Sequence, residues 1–311
     1  MNIEVPSRDS MVIICSDQTH AIIKKACMIL GIGHYKQIKT TRENNYALSP
    51  LDLEEAILEE VSLGHTVTAI VATLGTTSSC AFDPVLEISN VARKYNIWIH
   101  IDAAYGGAYA CLPELQHLFA GLEYVDSFVV NCHKKLLCPF DISALYVADR
   151  KPILEALSLQ PEYLKNAASE SGTVVDYEHW QLPLGRRFRA LKLWFVFRRF
   201  GQDKLLKHIR QGIKLSQYFS SLLKTCSDME LVVPVSLSLV CFRLKDKNND
   251  SQKCFIEAIK SSGDCFIIHT KLSDDIVLRF ACGGIEQSEN DVLKAWSVIR
   301  NAYETNKSIF L

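Results

Sequence analysis

Short apolar runs alternate with helical segments through the first half of the chain, and this alternation restricts the possible folds more than any other feature. The runs that predict strands cover residues 11–16, 66–74, 97–101, 127–130 and 142–147. Helices are predicted between them over about 20–30, 50–64 and 84–95, with proline near the start or glycine at the end. Strands that alternate with helices predict an α/β fold in which helices cover a mostly parallel sheet.

Two of these helices have starts that can be read from the sequence. Ser49-Pro50 predicts the start of one helix, whose apolar positions would be Leu51, Ala56, Ile57 and Val61. Asp83 is expected to cap the next helix, with Pro84 in its first turn.

The second half of the chain is organised differently. Residues 161–175 are mostly polar and predict a mobile loop that carries one aromatic residue, Tyr163. A long helix is expected to follow Gly185 and to run to about Phe200, and further strands are expected at 237–244 and 276–281. We therefore divide the chain into a partial large domain over residues 1–191 and a smaller C-terminal α+β domain over 192–311.

Bulk properties of the 311-residue chain exclude several classes of function. A net charge of −1 gives no reason to expect binding to nucleic acid or to an anionic membrane surface. No apolar run approaches the roughly 20 residues that span a bilayer, and residues 1–6 lack the basic and apolar regions of a secretory signal, so we expect a cytoplasmic location. The 11 cysteines are scattered without CxxC pairs, which predicts buried thiols rather than a disulfide framework or a metal site.

Two ionisable residues follow predicted strands. Lys134 comes shortly after the apolar run at 127–130, and Asp102 comes directly after the run at 97–101. Ligands in open α/β sheets bind at the carboxyl ends of strands, so we expect these residues and Gly75-Thr76-Thr77 at one site. A lysine amine can form a Schiff base with an aldehyde cofactor, and a carboxylate can keep a pyridine nitrogen protonated. The pair therefore predicts an enzyme that uses pyridoxal 5'-phosphate.

Longer motifs carry a resemblance to a known family. They are residues 16–20 (SDQTH), 72–77 (ATLGTT), 100–105 (HIDAAY), 133–134 (HK), 176–180 (DYEHW) and 184–189 (LGRRFR). In these runs the chain resembles the group II pyridoxal-phosphate-dependent aromatic-L-amino-acid decarboxylases, and the similarity extends through essentially the whole chain. Residues 44–50 and 162–166 look most like the plant branch, which includes tryptophan and tyrosine/dopa decarboxylases and aromatic acetaldehyde synthases.

The resemblance implies fold-type I architecture, in which a large domain around a mostly parallel sheet precedes a small domain. It also implies an obligate homodimer with active sites at the subunit interface. Lys134 matches the Schiff-base lysine of the family, rather than the adjacent Lys135, where most relatives carry tryptophan. Asp102 matches the partner of the pyridine nitrogen, and His20 matches the histidine that stacks on the cofactor and assists proton transfer.

Five further residues receive roles from the same resemblance. Ala104 would pack against the cofactor ring, Thr77 would lie near the ring or the substrate carboxylate, and His133 would donate to the phosphate. Tyr163 matches the loop tyrosine that protonates the carbanion left after carbon dioxide departs, a position that is phenylalanine in the acetaldehyde synthases. Gly185 matches a position that lines the side-chain pocket, where glycine leaves room for an indole and so favours tryptophan over tyrosine or dopa.

About the first third of a family member has no counterpart in this chain, including the dimer arm and a serine-rich turn that cradles the cofactor phosphate. Three hypotheses therefore stay open: an amine-forming decarboxylase, an aromatic acetaldehyde synthase, and a truncated, catalytically silent relative that binds a full-length partner. Aminotransferases share the fold, but His20 and the loop with Tyr163 argue against that class.

Overall fold

Six strands form the larger of two sheets in the computed structural model, which describes residues 6–159 and 175–310. In chain order they are β1 (Met11–Ser16), β2 (His34–Ile38), β3 (Thr66–Thr73), β4 (Trp98–Asp102), β5 (Ser127–Val130) and β6 (Ala144–Val147). Their spatial order is β2-β1-β3-β4-β5-β6, with parallel pairing throughout except between β5 and β6. The predicted α/β fold with a mostly parallel sheet is confirmed.

Three helices lie between the first four strands, as expected for parallel pairing, and two more follow β5 and β6. They are α1 (Ile22–Leu30), α2 (Pro50–Ser62), α3 (Val85–Lys94), the single-turn α4 (Cys132–Lys135) and α5 (Lys151–Leu157). The Ser49 side chain caps α2 by accepting a hydrogen bond from the backbone N–H of Asp52 at 3.3 Å, and Pro50 occupies the first turn. Gly31, at φ 70°, ends α1 in the left-handed conformation that favours glycine.

The exit loops of β3 and β4 pack against each other through two glycines. Gly75 has φ 84°, and a Cβ atom built on it would lie 3.0 Å from the backbone nitrogen of Gly106. A Cβ atom on Gly106 would in turn lie 2.2 Å from the carbonyl oxygen of Leu74. Side chains are therefore excluded here, and the two loops approach closely at the carboxyl ends of their strands.

The sequence predicted that Asp83 caps α3, and this prediction is wrong. The cap position is Pro84, and the carboxylate of Asp83 instead points into the interior, where it is 2% exposed. It accepts hydrogen bonds from the backbone N–H of Leu48 at 2.8 Å and of Thr73 at 2.6 Å. Burial raises the pKa of Asp83 to about 6, against the opposing effect of these two bonds. The residue therefore braces the end of β3 rather than the start of the helix.

Two other details of the first half differ from the sequence prediction. Strand β2 was missed because its sequence, HYKQI, is mostly polar, and it forms the edge of the sheet with only Ile38 buried. In α2, Ala56 and Ile57 are buried as expected, but Leu51 is 75% exposed and Val61 is 54% exposed. The buried face of that helix passes through Leu53 instead.

The C-terminal region contains a second, antiparallel sheet, as expected for a smaller α+β part. Its strands are β7 (Met229–Leu231), β8 (Leu239–Leu244), β9 (Ile268–Leu272) and β10 (Asp275–Ala281), in the order β7-β8-β10-β9. The helices α6 (Ala190–Leu223), α7 (Asn249–Ser261) and α8 (Glu289–Asn306) accompany it. Phe219 of α6 stacks on Phe280 of β10, with ring centroids 3.8 Å apart. Leu239 and Val277 of this sheet belong to the same buried cluster as the core of the larger sheet.

Helix α6 begins later and ends later than the sequence predicted. The helix follows Gly185 as expected, but residues 185–189 are not helical, and it runs from Ala190 to Leu223. Gly201, with φ 67° and ψ 176°, interrupts the helical geometry next to the expected end at Phe200. The proposed domain division after residue 191 falls in the first turn of α6 and stays a prediction.

Within the described ranges, no helix combines the length and apolar character needed to cross a bilayer.

We predict that Asp83→Ala destabilises the fold by about 2–4 kcal/mol, because two buried backbone N–H groups lose their acceptor. Urea unfolding monitored by circular dichroism would measure the change in the free energy of unfolding. Asp203→Ala is the matched control, since Asp203 is exposed on α6. Equal stability of the two variants would contradict the bracing role of Asp83.

Candidate active site

A cavity of about 530 Å³ opens at the carboxyl ends of β1, β3, β4 and β5. Six of the residues singled out from the sequence line it: His20, Thr77, Asp102, Ala104, His133 and Lys134. They come from four separate exit segments, which the parallel pairing of the strands brings to one edge of the sheet. The expected convergence at this edge is therefore observed.

Asp102 is the last residue of β4 and is 8% exposed. Its Oδ1 accepts a hydrogen bond from the backbone N–H of Ala104 at 3.0 Å. Within residues 6–159 and 175–310, no donor lies in hydrogen-bond range of Oδ2. A buried carboxylate with one oxygen held and the other free can bind a positively charged group in the cavity.

Lys134 lies in α4, directly after β5, and its side chain is exposed toward the open cavity. Its backbone N–H bonds to the carbonyl of Asn131 at 3.0 Å, which fixes the turn that carries the amine. Partial burial lowers the pKa of the Lys134 amine, and the negative charge of Asp102 opposes that shift. A lowered pKa increases the fraction of neutral amine, which is the nucleophilic form.

Lys135, the neighbouring lysine, does not line the cavity. It is 6% exposed, donates to the carbonyl of Cys282, and has its Nζ 5.4 Å from the centroid of the Tyr105 ring. Burial lowers the pKa of Lys135 to about 8. The two lysines therefore occupy different environments, and only Lys134 presents its amine to a ligand in this cavity.

Two histidines at the cavity are oriented by backbone groups. His20 Nδ1 accepts from the backbone N–H of Ile22 at 3.1 Å, so a neutral His20 carries its proton on Nε2. His133 Nδ1 lies 2.7 Å from the carbonyl oxygen of Ile142 and 3.0 Å from its nitrogen. In both rings Nε2 is the nitrogen left for a ligand.

The remaining predicted site residues are not brought into this cavity. Gly185 lines a separate depression with Trp180, Gln181, Leu182 and Arg186 among others, and a Cβ atom built on it would meet no atom within 4 Å. Tyr163 lies outside the described residues, as does the segment 160–174 around it. Their predicted roles therefore rest on the resemblance alone.

His100 also lines the cavity, although the sequence reasoning gave it no role. It lies two residues before Asp102 on β4, and alternate residues of a strand share one face. This period would have placed His100 beside Asp102. Tyr105 was also passed over, and its hydroxyl bonds to Ser238 Oγ at 3.0 Å, which joins the cavity wall to the C-terminal region.

We predict that Lys135→Met makes the free energy of unfolding less dependent on pH in the alkaline range. The folded state releases the Lys135 proton near pH 8, whereas the unfolded chain holds it to about pH 10.5, so the free energy of unfolding of the unaltered chain should rise by about 3 kcal/mol across this window. Guanidinium unfolding between pH 7 and pH 10.5 would measure this rise. The Met variant should lose it, and the exposed control Lys204→Met should keep it. A pH-independent difference between Lys135→Met and the unaltered chain would show that burial of the charge is not the cause.

Comparison with curated proteins finds relatives of known activity. The chain is 42% identical over 303 residues to tyrosine decarboxylase 2 of Narcissus pseudonarcissus. The aligned region covers 95% of this chain and 61% of that protein. It is also 42% identical to phenylacetaldehyde synthase of Arabidopsis thaliana over 300 residues, covering 94% of this chain and 61% of the synthase. The chain thus spans about 61% of the length of these relatives.

Among solved structures, Oryza sativa TDC with PLP and tryptamine superposes with a TM-score of 0.93 at 36% identity, over 98% of this chain and 64% of that one. The fold-type I architecture expected from the sequence is thereby confirmed, for both the parallel sheet and the antiparallel sheet. Residues 3–245 match the family described as the pyridoxal-dependent decarboxylase conserved domain. The chain therefore belongs to the pyridoxal-dependent decarboxylase family.

Proposed function

We propose that this chain is the cofactor-binding and C-terminal part of an enzyme that decarboxylates an aromatic L-amino acid to its amine and carbon dioxide. The observation that carries the proposal is the single cavity that Lys134 and Asp102 both line. Tryptophan is the favoured substrate, with tyrosine and dopa as further candidates. Relatives of this chain are named for tyrosine decarboxylation, and one similar structure contains tryptamine.

The residues of the cavity fit pyridoxal phosphate. A volume of about 530 Å³ suits a ligand of this size. At the strand ends, the buried Thr73 Oγ1 atom lacks a hydrogen-bond partner among the described residues, where Asp102 accepts a hydrogen bond through Oδ1 and not through Oδ2. Because Thr73 and Asp102 are register partners on β3 and β4, both side chains lie at the same end of the site. Unpartnered buried groups are costly and point to a polar ligand.

When bound, pyridoxal phosphate supplies an aldehyde that links to amines and a ring that accepts electrons. In this proposal the Lys134 amine would bind the aldehyde, and the Asp102 carboxylate would keep the ring nitrogen protonated. His20 would cover one face of the ring, and Ala104 would pack beside it. Thr77 would lie near the ring or the substrate carboxylate, and His133 would offer a donor to the phosphate.

Tyr163 decides the product in this proposal. Its phenol would donate a proton to the substrate Cα after carbon dioxide leaves, and closure of its loop over the partner's site would exclude water. In the acetaldehyde synthases phenylalanine stands at this position, and dioxygen reacts instead. A tyrosine at 163 therefore favours the amine.

The homodimer belongs to the same proposal and would explain the position of Gly185. Large apolar residues cluster on the surface of the segment before and within α6, and they include Leu182, Phe188, Trp194 and Phe195, which are 88%, 71%, 54% and 58% exposed. An apolar surface of this kind is typical of an interface. Since Gly185 lies in this segment and away from the cavity of its own chain, we place it at the cavity of the partner subunit.

The cytoplasmic location expected from the sequence is part of the proposal as well.

Two alternatives are kept. The similarity to phenylacetaldehyde synthase favours the aromatic acetaldehyde synthase, which would release aldehyde, hydrogen peroxide and ammonia instead of amine. The second alternative is a truncated, catalytically silent relative that binds a full-length partner.

We predict that the longest transcript product from the same locus releases carbon dioxide and amine from tryptophan in equal amounts. Mass spectrometry of products and a peroxide assay would separate the hypotheses, with Tyr163→Phe as the matched control that should shift products toward peroxide and ammonia. Peroxide and ammonia from the unaltered enzyme would contradict the decarboxylase. The chain of 311 residues should be tested in parallel. Failure of that chain to bind pyridoxal phosphate would favour the silent relative.

We further predict that Gly185→Ser lowers kcat/KM for tryptophan relative to tyrosine by about tenfold, because the added hydroxyl narrows the pocket for an indole. Competition between the two substrates in one reaction would measure this ratio. An unchanged ratio would remove Gly185 from the substrate pocket.

A further inference from the structure

The helix that carries Lys134 is too short to be stable by itself. Helix α4 consists of the four residues Cys132–Lys135, directly after β5. The backbone N–H of Lys134 bonds to the carbonyl of Asn131 at 3.0 Å, and this bond closes one turn. A single turn is unfavourable in isolation, because it fixes several backbone dihedral angles for one hydrogen bond. The direction of the Lys134 amine therefore depends on contacts that α4 makes with the rest of the chain.

The other three residues of α4 each have a contact that holds them in place. Cys132 is 2% exposed and packs in an apolar cluster. His133 Nδ1 lies 2.7 Å from a backbone carbonyl oxygen two residues before β6. Lys135 is 6% exposed and donates to the carbonyl of Cys282, which directly follows β10. Lys134 is the one exposed residue of the four.

The amine of Lys135 lies in a socket formed by the Cys282 carbonyl, the Tyr105 ring and Gly283. The carbonyl accepts a hydrogen bond from Nζ, and the centroid of the ring lies 5.4 Å from the same atom. A Cβ atom built on Gly283 would overlap Nζ and would lie 3.3 Å from Cε. The side chain of Lys135 therefore fits this socket because residue 283 carries no side chain.

Hydrogen bonds hold the walls of the socket in place. The N–H of Cys282 donates to the carbonyl of Ser238 at 2.8 Å, and the N–H of Gly283 donates to Gln287 Oε1 at 2.8 Å. The hydroxyl of Ser238 bonds to the hydroxyl of Tyr105 at 3.0 Å. The acceptor and the ring beside the amine are thus fixed to the same part of the C-terminal region.

We propose that Lys135 is a positioning residue, which anchors α4 to the residues after β10 and thereby fixes the direction of the Lys134 amine. Successive side chains lie about 100° apart around a helix, so α4 cannot rotate while Lys135 stays in its socket. The inference rests on the proposed function in one respect, namely that Lys134 is the residue that binds pyridoxal phosphate.

The anchor can be tested on the full chain without cofactor. In Gly283→Ala the new methyl group takes the place of Nζ, so the intact Lys135 side chain must leave its socket. Amide hydrogen exchange at Lys134, measured by NMR, should become about tenfold or more faster, because a hydrogen bond from a charged donor is lost. Lys135→Ala should have the same effect. Exchange in β1 (Met11–Ser16) reports global unfolding and serves as the reference in each sample.

Two further variants make this test specific. Gly284→Ala is the matched control, because a Cβ atom there would lie 3.4 Å from its nearest neighbour, an ordinary contact, and exchange should not change. In the double variant Lys135→Ala/Gly283→Ala no amine is left to displace, so the second substitution should add little to the first. Unchanged exchange in both single variants, or effects that add fully in the double variant, would overturn the inference.

A second measurement tests the consequence for Lys134. The folded variants are incubated with increasing pyridoxal phosphate and reduced with borohydride, and peptide mass spectrometry gives the concentration that labels half of Lys134. This concentration should rise about tenfold in Lys135→Ala and in Gly283→Ala, since a misdirected amine is less often in position to react. It should stay unchanged in Gly284→Ala. A purely structural role would leave it unchanged in all the folded variants, and that result would contradict the positioning role.

The two proposals fail in different ways. If pyridoxal phosphate does not label Lys134 in the unaltered chain, the proposed function fails for this chain, and hydrogen exchange still decides whether Lys135 anchors α4. If Lys134 is labelled and neither Lys135→Ala nor Gly283→Ala changes exchange in α4, the proposed function stands and the role of Lys135 does not.

Discussion

Parallel pairing of β3, β4 and β5 is the constraint on which the site depends. Thr73, Asp102 and Val129 lie in register across these strands, so the three chains leave the sheet at one edge. The exit loops can approach because Gly75 and Gly106 carry no side chains where their backbones meet. The cavity, the free carboxylate oxygen and the lysine amine all follow from this alignment.

The adjacent lysines Lys134 and Lys135 show how one turn of helix separates two environments. Lys134 faces the open cavity, whereas Lys135 reaches away from it to the carbonyl of Cys282 beside the antiparallel sheet. Further hydrogen bonds join the same regions, from Tyr105 to Ser238 and between Ser78 and Thr270. The position of the cavity wall is therefore coupled to the packing of the C-terminal region.

Much of the fold could be predicted because its central strands are apolar and its helices have clear ends. The predictions for β1 and β5 matched both boundaries, since each is a continuous run of mostly apolar residues. Strand β2 could not be found because its pairing, rather than its polar sequence, makes it a strand. Asp83 was misassigned because a local capping pattern gave no sign of the distant N–H group of Leu48 that the residue binds.

The candidate site was predicted in part for the same reasons. Residues at strand exits converge whenever the strands are parallel, and six of the predicted residues line one cavity. The family motif selected Lys134 over the neighbouring Lys135, which hydrophobic periodicity alone could not do, and the burial of Lys135 away from the cavity supports that choice. The placement of Gly185 apart from the cavity was not foreseen, and in the proposed homodimer Gly185 belongs to the site of the partner subunit.

The most direct test of this account is to incubate the chain with pyridoxal phosphate, reduce it with borohydride, and locate the modified lysine by peptide mass spectrometry. The account predicts modification of Lys134 alone, retained in Lys135→Met and lost in Lys134→Met. Modification of Lys135, or scattered labelling of exposed lysines that persists in Lys134→Met, would contradict it.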